Sequence, residues 1–179
     1  NAFRIRVLGE FPLADDDTII PFHVAESAIH RDIEVTPDIR PIWGLDVARF
    51  GTDKTALCKR YGNVVTDITA WQGLDLMQTV GRVMAEYESL SPSLRPNEIL
   101  VDSIGVGGGV VDRLRELGAP VRGINVSEAP AMGHTYMNLR SELWFKAKGW
   151  LEDRSCKLPK DDQLLAELTA IRYSFTSSG

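Results

Sequence analysis

Two aspartates, Asp46 and Asp102, have the type and setting to do chemistry. Asp46 interrupts an apolar run of Ile42, Trp43, Leu45 and Val47, residues that favour strand. An ionised carboxylate inside a buried strand costs roughly several kcal/mol unless a cationic side chain, a set of backbone N–H donors or a metal ion compensates it. Asp102 closes a second apolar strand, Glu98-Ile-Leu-Val-Asp102, and abuts Gly105, Gly107, Gly108 and Gly109. Strand ends that open onto such loops commonly line binding sites in α/β sheets. If the two strands are neighbours, the carboxylates face each other, and their repulsion raises a pKa unless cations lie between them. A pair of Mg²⁺ or Mn²⁺ ions about 3.5–4 Å apart would resolve the repulsion and support in-line attack on a phosphodiester. The plainer reading gives each aspartate a private salt bridge or a turn to cap.

Other candidates surround this pair. Asp53 lies in the turn Phe50-Gly51-Thr52-Asp53, either as an ordinary turn former or as an accessory carboxylate holding a metal-bound water. The glycine loop lacks both Gly-x-Gly-x-x-Gly with a ribose-binding acid and Gly-Lys-Ser/Thr, so close backbone packing suits it better than a nucleotide. His134 is a lone loop histidine, and Asp15-Asp16-Asp17 reads as a solvated acidic turn. Late in the chain Arg140, Lys146, Lys148, Arg154, Lys157 and Lys160 form a basic stretch, either a solvated helix face or a track for a DNA backbone.

The elements that must position these residues follow from periodicity. Strands are expected at 41–48, 54–61 and 63–71, with Gly62-Asn63 as a tight turn, which makes an antiparallel meander. Asp75 can cap a helix reaching Leu90, with Leu76, Val80, Val83, Met84 and Tyr87 on one face. A strand at 98–102, a helix from about Val110 to Gly118, a strand at 120–126, and helices at 138–151 and 161–171 complete the order. Three antiparallel strands followed by two in alternation with helices predict a mixed five-stranded α/β sheet, the strand sequence of the ribonuclease H-like fold. Residues 1–40 read apart from this: a strand-like Phe3–Leu8, a possible short helix within 21–33, and Pro37 and Pro41 around an extended linker. A boundary is therefore expected near residue 40, with one domain over 41–179.

Composition narrows the classes. The 179 residues suffice for one domain with a substantial core, and 44% hydrophobic content favours folding over disorder. No apolar run approaches the roughly 20 residues of a membrane span. The formal net charge of −5 gives no bulk attraction to nucleic acid, so any DNA binding needs a local basic patch or metal ions. Cys58 and Cys156 show no metal-ligand spacing and read as reduced thiols of a cytosolic protein.

The chain resembles the C-terminal nuclease domain of the large terminase subunit of tailed bacteriophages. The resemblance is carried by Gly9-Glu-Phe-Pro12, by Trp43-Gly-Leu-Asp-Val-Ala48 with Gly51 and Asp53, and by Val101-Asp102 with the glycine loop. Asn138-Leu-Arg-Ser-Glu-Leu-Trp144, and Leu165-Ala-Glu-Leu168 with Tyr173 and Phe175, extend it over nearly the whole chain. It implies a metal-dependent endonuclease that cuts concatemeric double-stranded viral DNA during genome packaging in the host cytoplasm, with two Mg²⁺ or Mn²⁺ ions. Asp46 and Asp102 match the first and second catalytic acids, and Asp53 an acid often found beside the first. Lys146, Lys148, Lys157 and Lys160 become candidates for the DNA backbone. Implied partners are DNA, the portal protein, the small terminase subunit and a packaging ATPase domain of the same longer chain, whose end and linker residues 1–40 would be. The family's third catalytic aspartate is expected beyond Gly179, since Asp161 and Asp162 open a helix just after Pro159. Two alternatives share parts of the pattern. A kinase of the actin-like superfamily would want Asp-x-Gly where this chain has Asp46-Val-Ala48, and a docking module would grip DNA or portal without cutting.

Overall fold

A computed structural model describes residues 17–36, 38–48 and 53–175. The strand expected at Phe3–Leu8 and most of the acidic turn at 15–17 lie outside these residues. Among the described residues the chain forms five strands and five helices. They are α1 (Phe22–Ile29), β1 (Ile42–Asp46), β2 (Thr55–Tyr61), β3 (Val64–Trp71), α2 (Leu76–Ser89), β4 (Glu98–Asp102), α3 (Gly107–Glu116), β5 (Val121–Ile124), α4 (Leu139–Glu152) and α5 (Asp162–Ala170). Contacts cluster into two compact units, 34–142 and the combination of 1–33 with 143–179.

The first unit holds the whole sheet, ordered β3-β2-β1-β4-β5. β1 pairs antiparallel with β2 and parallel with β4; β2–β3 is antiparallel and β4–β5 parallel. This is the mixed ribonuclease H-like arrangement expected from the sequence. The hairpin β2–β3 turns through Gly62 at φ +56°, a left-handed conformation that glycine adopts without steric penalty. Burial alternates along the central strands. Trp43 and Leu45 of β1, Leu57 of β2, and Ile99 and Val101 of β4 face one core with Val80, Val83 and Met84 of α2 and Val110, Val111 and Leu114 of α3. A period of two on the strands and a helical stripe on α2 and α3 thus meet on one side of the sheet. Gln78 N–H donates to the Asp75 carboxylate at 2.7 Å and the Gln78 side chain accepts from Asp75 N–H at 2.9 Å, a capping box that fixes where α2 begins.

The second unit is built from residues 17–33 and the C-terminal helices. Leu158 N–H donates to the Ala28 carbonyl at 3.1 Å, and Ile19 N–H to the Ile171 carbonyl at 3.0 Å. Arg31 donates to the carbonyls of Leu151 (2.8 Å) and Cys156 (3.0 Å), so a guanidinium satisfies carbonyls in the last turn of α4 and just beyond it. Ile20, Ala25, Ala28, Leu151 and Cys156 are buried. At the C-terminus, Tyr173-Ser-Phe175 forms no strand; Arg172 makes a single antiparallel bridge to Thr18. α4 opens in the first unit and continues in the second.

Candidate active site

The site is built where β1 and β4 end. Their parallel register runs from Ile42 opposite Glu98 to Leu45 opposite Val101, and one step further brings Asp46 beside Asp102. Trp43, Leu45, Ile99 and Val101 point into the core, so alternation turns both aspartates to the other face of the sheet. The apolar run around Asp46 predicts it in mid-strand; it is the last residue of β1 and is exposed, because it lies on the face opposite Trp43 and Leu45. Its carboxyl is nonetheless pushed above the ordinary range, first by partial burial, then by the neighbouring charge of Asp102, with Arg140 pulling the other way.

Asp102 is held from two sides. Its Oδ1 accepts from the Ile104 N–H at 3.1 Å, and its Oδ2 lies 3.8 Å from Nη2 of Arg140. Four further contacts account for where Arg140 stands. Ser103 N–H donates to the Ile124 carbonyl at 2.9 Å, continuing β5 alongside the end of β4. The chain then turns, and the carbonyls of Val126 and Glu128 accept from Arg140 N–H and Leu139 N–H, both at 2.9 Å. Asn138 caps the same end, its side-chain oxygen accepting from Ser141 N–H at 2.9 Å. The first N–H groups of a helix have no partner within it, and here the segment after β5 and the Asn138 side chain supply them. That docking brings Arg140 to the acid pair.

The glycine loop serves packing. Gly107, Gly108 and Gly109, expected before the helix, form the first turn of α3. A Cβ on Gly107 would stand 1.8 Å from the Asp102 carbonyl oxygen, so only glycine lets the helix start against the strand end.

The remaining candidates divide. Asp53 is exposed in the connection between β1 and β2, and residues 49–52 of that connection lie outside the described ones. Among the described residues no three His, Cys, Asp or Glu side chains are grouped to hold a metal ion. The structure thus brings two carboxylates together, with a guanidinium. His134 is exposed in a turn. Lys146, Lys148, Lys157 and Lys160 belong to the other unit, where Lys148 lies 3.9 Å from Glu152. Arg140 was legible only as one member of the basic stretch; nothing in its spacing links it to Asp102, 38 positions earlier.

The fold defined by this sheet and its helices is that of the nuclease domains of phage large terminase subunits. The nuclease domain of the large terminase subunit gp2 of bacterial virus Sf6 superposes with a TM-score of 0.71 at 19% identity, covering 90% of this chain and 85% of that one. A mutant of the same domain with manganese and beta-thujaplicinol gives 0.74 at 20% identity, with the same coverage. The large terminase nuclease from thermophilic phage G20c with bound magnesium gives 0.68 at 17%, covering 92% and 86%. No protein-family model and no curated protein matches the sequence.

Proposed function

We propose that this chain is a divalent-metal-dependent DNA endonuclease domain that cuts viral concatemers during genome packaging. The observation that carries the reading is the acid pair Asp46–Asp102 at the ends of adjacent parallel strands, on the face turned away from the core. Two hard carboxylate ligands side by side suit Mg²⁺ or Mn²⁺ in chemistry and charge. The likeness to nuclease domains whose structures contain manganese or magnesium supports it. A bound pair of such ions would activate a water and stabilise the charge that develops on the phosphate.

The chain's own part is binding and orientation. Asp46 and Asp102 supply the acceptors. The Ile104 N–H fixes the rotation of the Asp102 carboxylate, leaving Oδ2 for a cation. Asp53, seven residues after Asp46, is the candidate accessory ligand. Lys146, Lys148, Lys157 and Lys160 are proposed to hold the DNA backbone, contacts that position the duplex without reading its sequence. The portal protein, the small terminase subunit and an ATPase domain of the same polypeptide are the proposed partners.

The test is cleavage of supercoiled plasmid in Mn²⁺ or Mg²⁺, with EDTA as control, by the parent and by Asp46→Asn and Asp102→Asn. Metal-dependent nicking that both substitutions abolish is the expected result. DNA binding with no cleavage under any metal would favour the docking-module reading, which the grouping of only two carboxylates among the described residues also suits. ATP binding by the chain would favour the actin-like kinase instead.

A further inference from the structure

We propose that Arg140 is the resident cation of the acid pair and competes with a divalent ion for Asp102. The inference rests on the reading that Asp46 and Asp102 take such an ion. Of the two Asp102 oxygens, Oδ1 is engaged by the Ile104 N–H at 3.1 Å, and Oδ2 faces Nη2 of Arg140 at 3.8 Å. A divalent ion held by both carboxylates would draw most readily on the Asp102 oxygen that the guanidinium already faces. A guanidinium and a dication on the same carboxylate repel each other strongly, because like charges about 4 Å apart near a protein surface are only partly screened. Each therefore weakens the other's hold, and the one free to move gives way.

The geometry shows which one can. Charge-assisted N–H···O bonds lie at roughly 2.7–2.9 Å, so 3.8 Å is an electrostatic contact and not a closed hydrogen bond. The Arg140 side chain is 61% exposed and the Asp102 side chain 27%, so the guanidinium can swing into water while the carboxylate stays. The backbone of Arg140 is fixed by its bond to the Val126 carbonyl, so the swing needs only side-chain rotation. Arg140 thus offsets the mutual repulsion of Asp46 and Asp102 when no metal is bound and lowers the affinity for metal by the strength of that contact. A guanidinium so released remains tethered beside the acids, within reach of a phosphate.

The experiment is calorimetric titration of Mn²⁺ into the 179-residue chain at low salt, comparing the parent with Arg140→Ala, Arg140→Lys, Arg140→Gln and Asp46→Asn. Binding in the parent that Asp46→Asn removes establishes the acid pair as the metal site. Arg140→Ala should then bind Mn²⁺ more tightly, by roughly two- to fivefold, the affinity equivalent of a half-exposed ion pair. Arg140→Lys, which keeps the charge, should stay near the parent. If circular dichroism shows Arg140→Ala unfolded, Arg140→Gln carries the same expectation. Tightening in the alanine or glutamine variant with a parent-like lysine variant supports the competition. Equal or weaker binding in the neutral variants, with Asp46→Asn still abolishing it, overturns the role of Arg140 alone. Absence of Mn²⁺ binding in both the parent and the neutral variants overturns the metal reading beneath it.

Discussion

The backbones of Gly107 and Asp102 approach so closely that a methyl group at position 107 would stand 1.8 Å from the Asp102 carbonyl oxygen and 2.9 Å from its carbonyl carbon. Backbone atoms cannot yield as the end of a flexible side chain can. Gly107→Ala must therefore push the start of α3 away from the end of β4 and disturb the site residue directly. Overpacking of this kind costs about 1–3 kcal/mol, which for a chain of this size lowers Tm by roughly 2–12 °C. Gly109, two residues along the same helix, is the control. Its Cβ would meet only Leu76 Cδ1 at 3.9 Å, an ordinary contact. Gly109→Ala should hold or raise stability, by up to about 1 kcal/mol from helix propensity. Thermal melts of the two variants check this; equal effects would mean that propensity, not contact with Asp102, governs the turn.

That glycine turn marks the limit of what the sequence discloses. The meander and the alternation of later strands with helices were legible because each rests on local periodicity and on tight turns such as Gly62-Asn63; the neighbouring of β1 and β4, 56 positions apart, followed only from the strand order of the fold. The start of α3 was not legible. Three glycines carry the least helix propensity of any residue but proline, and of the three only Gly107 is demanded by a close approach, where a Cβ would meet the end of β4. Asp46 and Asp102 could be picked out because acids stand out in apolar runs. Arg140 could not, because what ties it to Asp102 is the anchoring of α4 on the carbonyls of Val126 and Glu128, a relation between segments and not a motif.

A second network sits on the core face of the sheet, away from the acids. Lys59 Nζ lies 2.6 Å from Glu86 Oε2 and 3.4 Å from Asp67 Oδ2, and stands over the Trp43 ring at 5.4 Å. Burial alone would lower the Lys59 ammonium; the hydrogen bond and charge of Glu86, with Asp67, outweigh it and raise it. A raised lysine stabilises the fold below its unfolded pKa, and that contribution is lost as pH rises through the folded value. Glu86→Gln should therefore cost stability at neutral pH, about 1 kcal/mol for a partly exposed pair, and the gap to the parent should close only in strongly alkaline solution. Urea titrations at neutral and alkaline pH measure this. A gap that persists unchanged at high pH would assign the loss to packing.

The four proposed DNA-contacting lysines are not equivalent. Lys146 and Lys160 are exposed, Lys157 is partly buried, and Lys148 lies 3.9 Å from Glu152 one helical turn on. Each lysine that neutralises a phosphate adds about 0.9 to the slope of log affinity against log salt. Alanine at any of the four should flatten that slope, by about that amount at Lys157 and Lys160 and by less at Lys148, since Glu152 already draws on its charge. Fluorescence anisotropy with a short duplex over a salt series gives the slopes. Four unchanged slopes would leave these residues as a solvated surface and send the search for the DNA path elsewhere.

Asp46 offers a test that needs no DNA. Its carboxyl is raised above its ordinary value of 3.8 by burial first and by Asp102 second, against the pull of Arg140. The folded protein therefore keeps this proton to a higher pH than the unfolded chain does. Between 3.8 and the raised value the folded state binds more protons, so stability falls as pH climbs through that window. Below the window both states are protonated and the residue contributes nothing; above it the loss is complete. Asp46→Asn carries no charge at any pH and escapes the loss. In EDTA at neutral pH the variant should melt at or above the parent, by roughly 1–2 °C, the scale of a screened surface charge of about 0.5 kcal/mol. The two curves should converge as pH drops below the carboxylate range. Added Mn²⁺ should raise the parent's Tm and leave the variant's nearly unmoved, since only binding to the folded state stabilises it. If the variant instead melts several degrees lower at neutral pH and the deficit shrinks on acidification, the ionised Asp46 is stabilising the fold. Its attraction to the Arg140 charge would then outweigh its repulsion by Asp102, and the acid pair would be a structural ion network with no need of a metal.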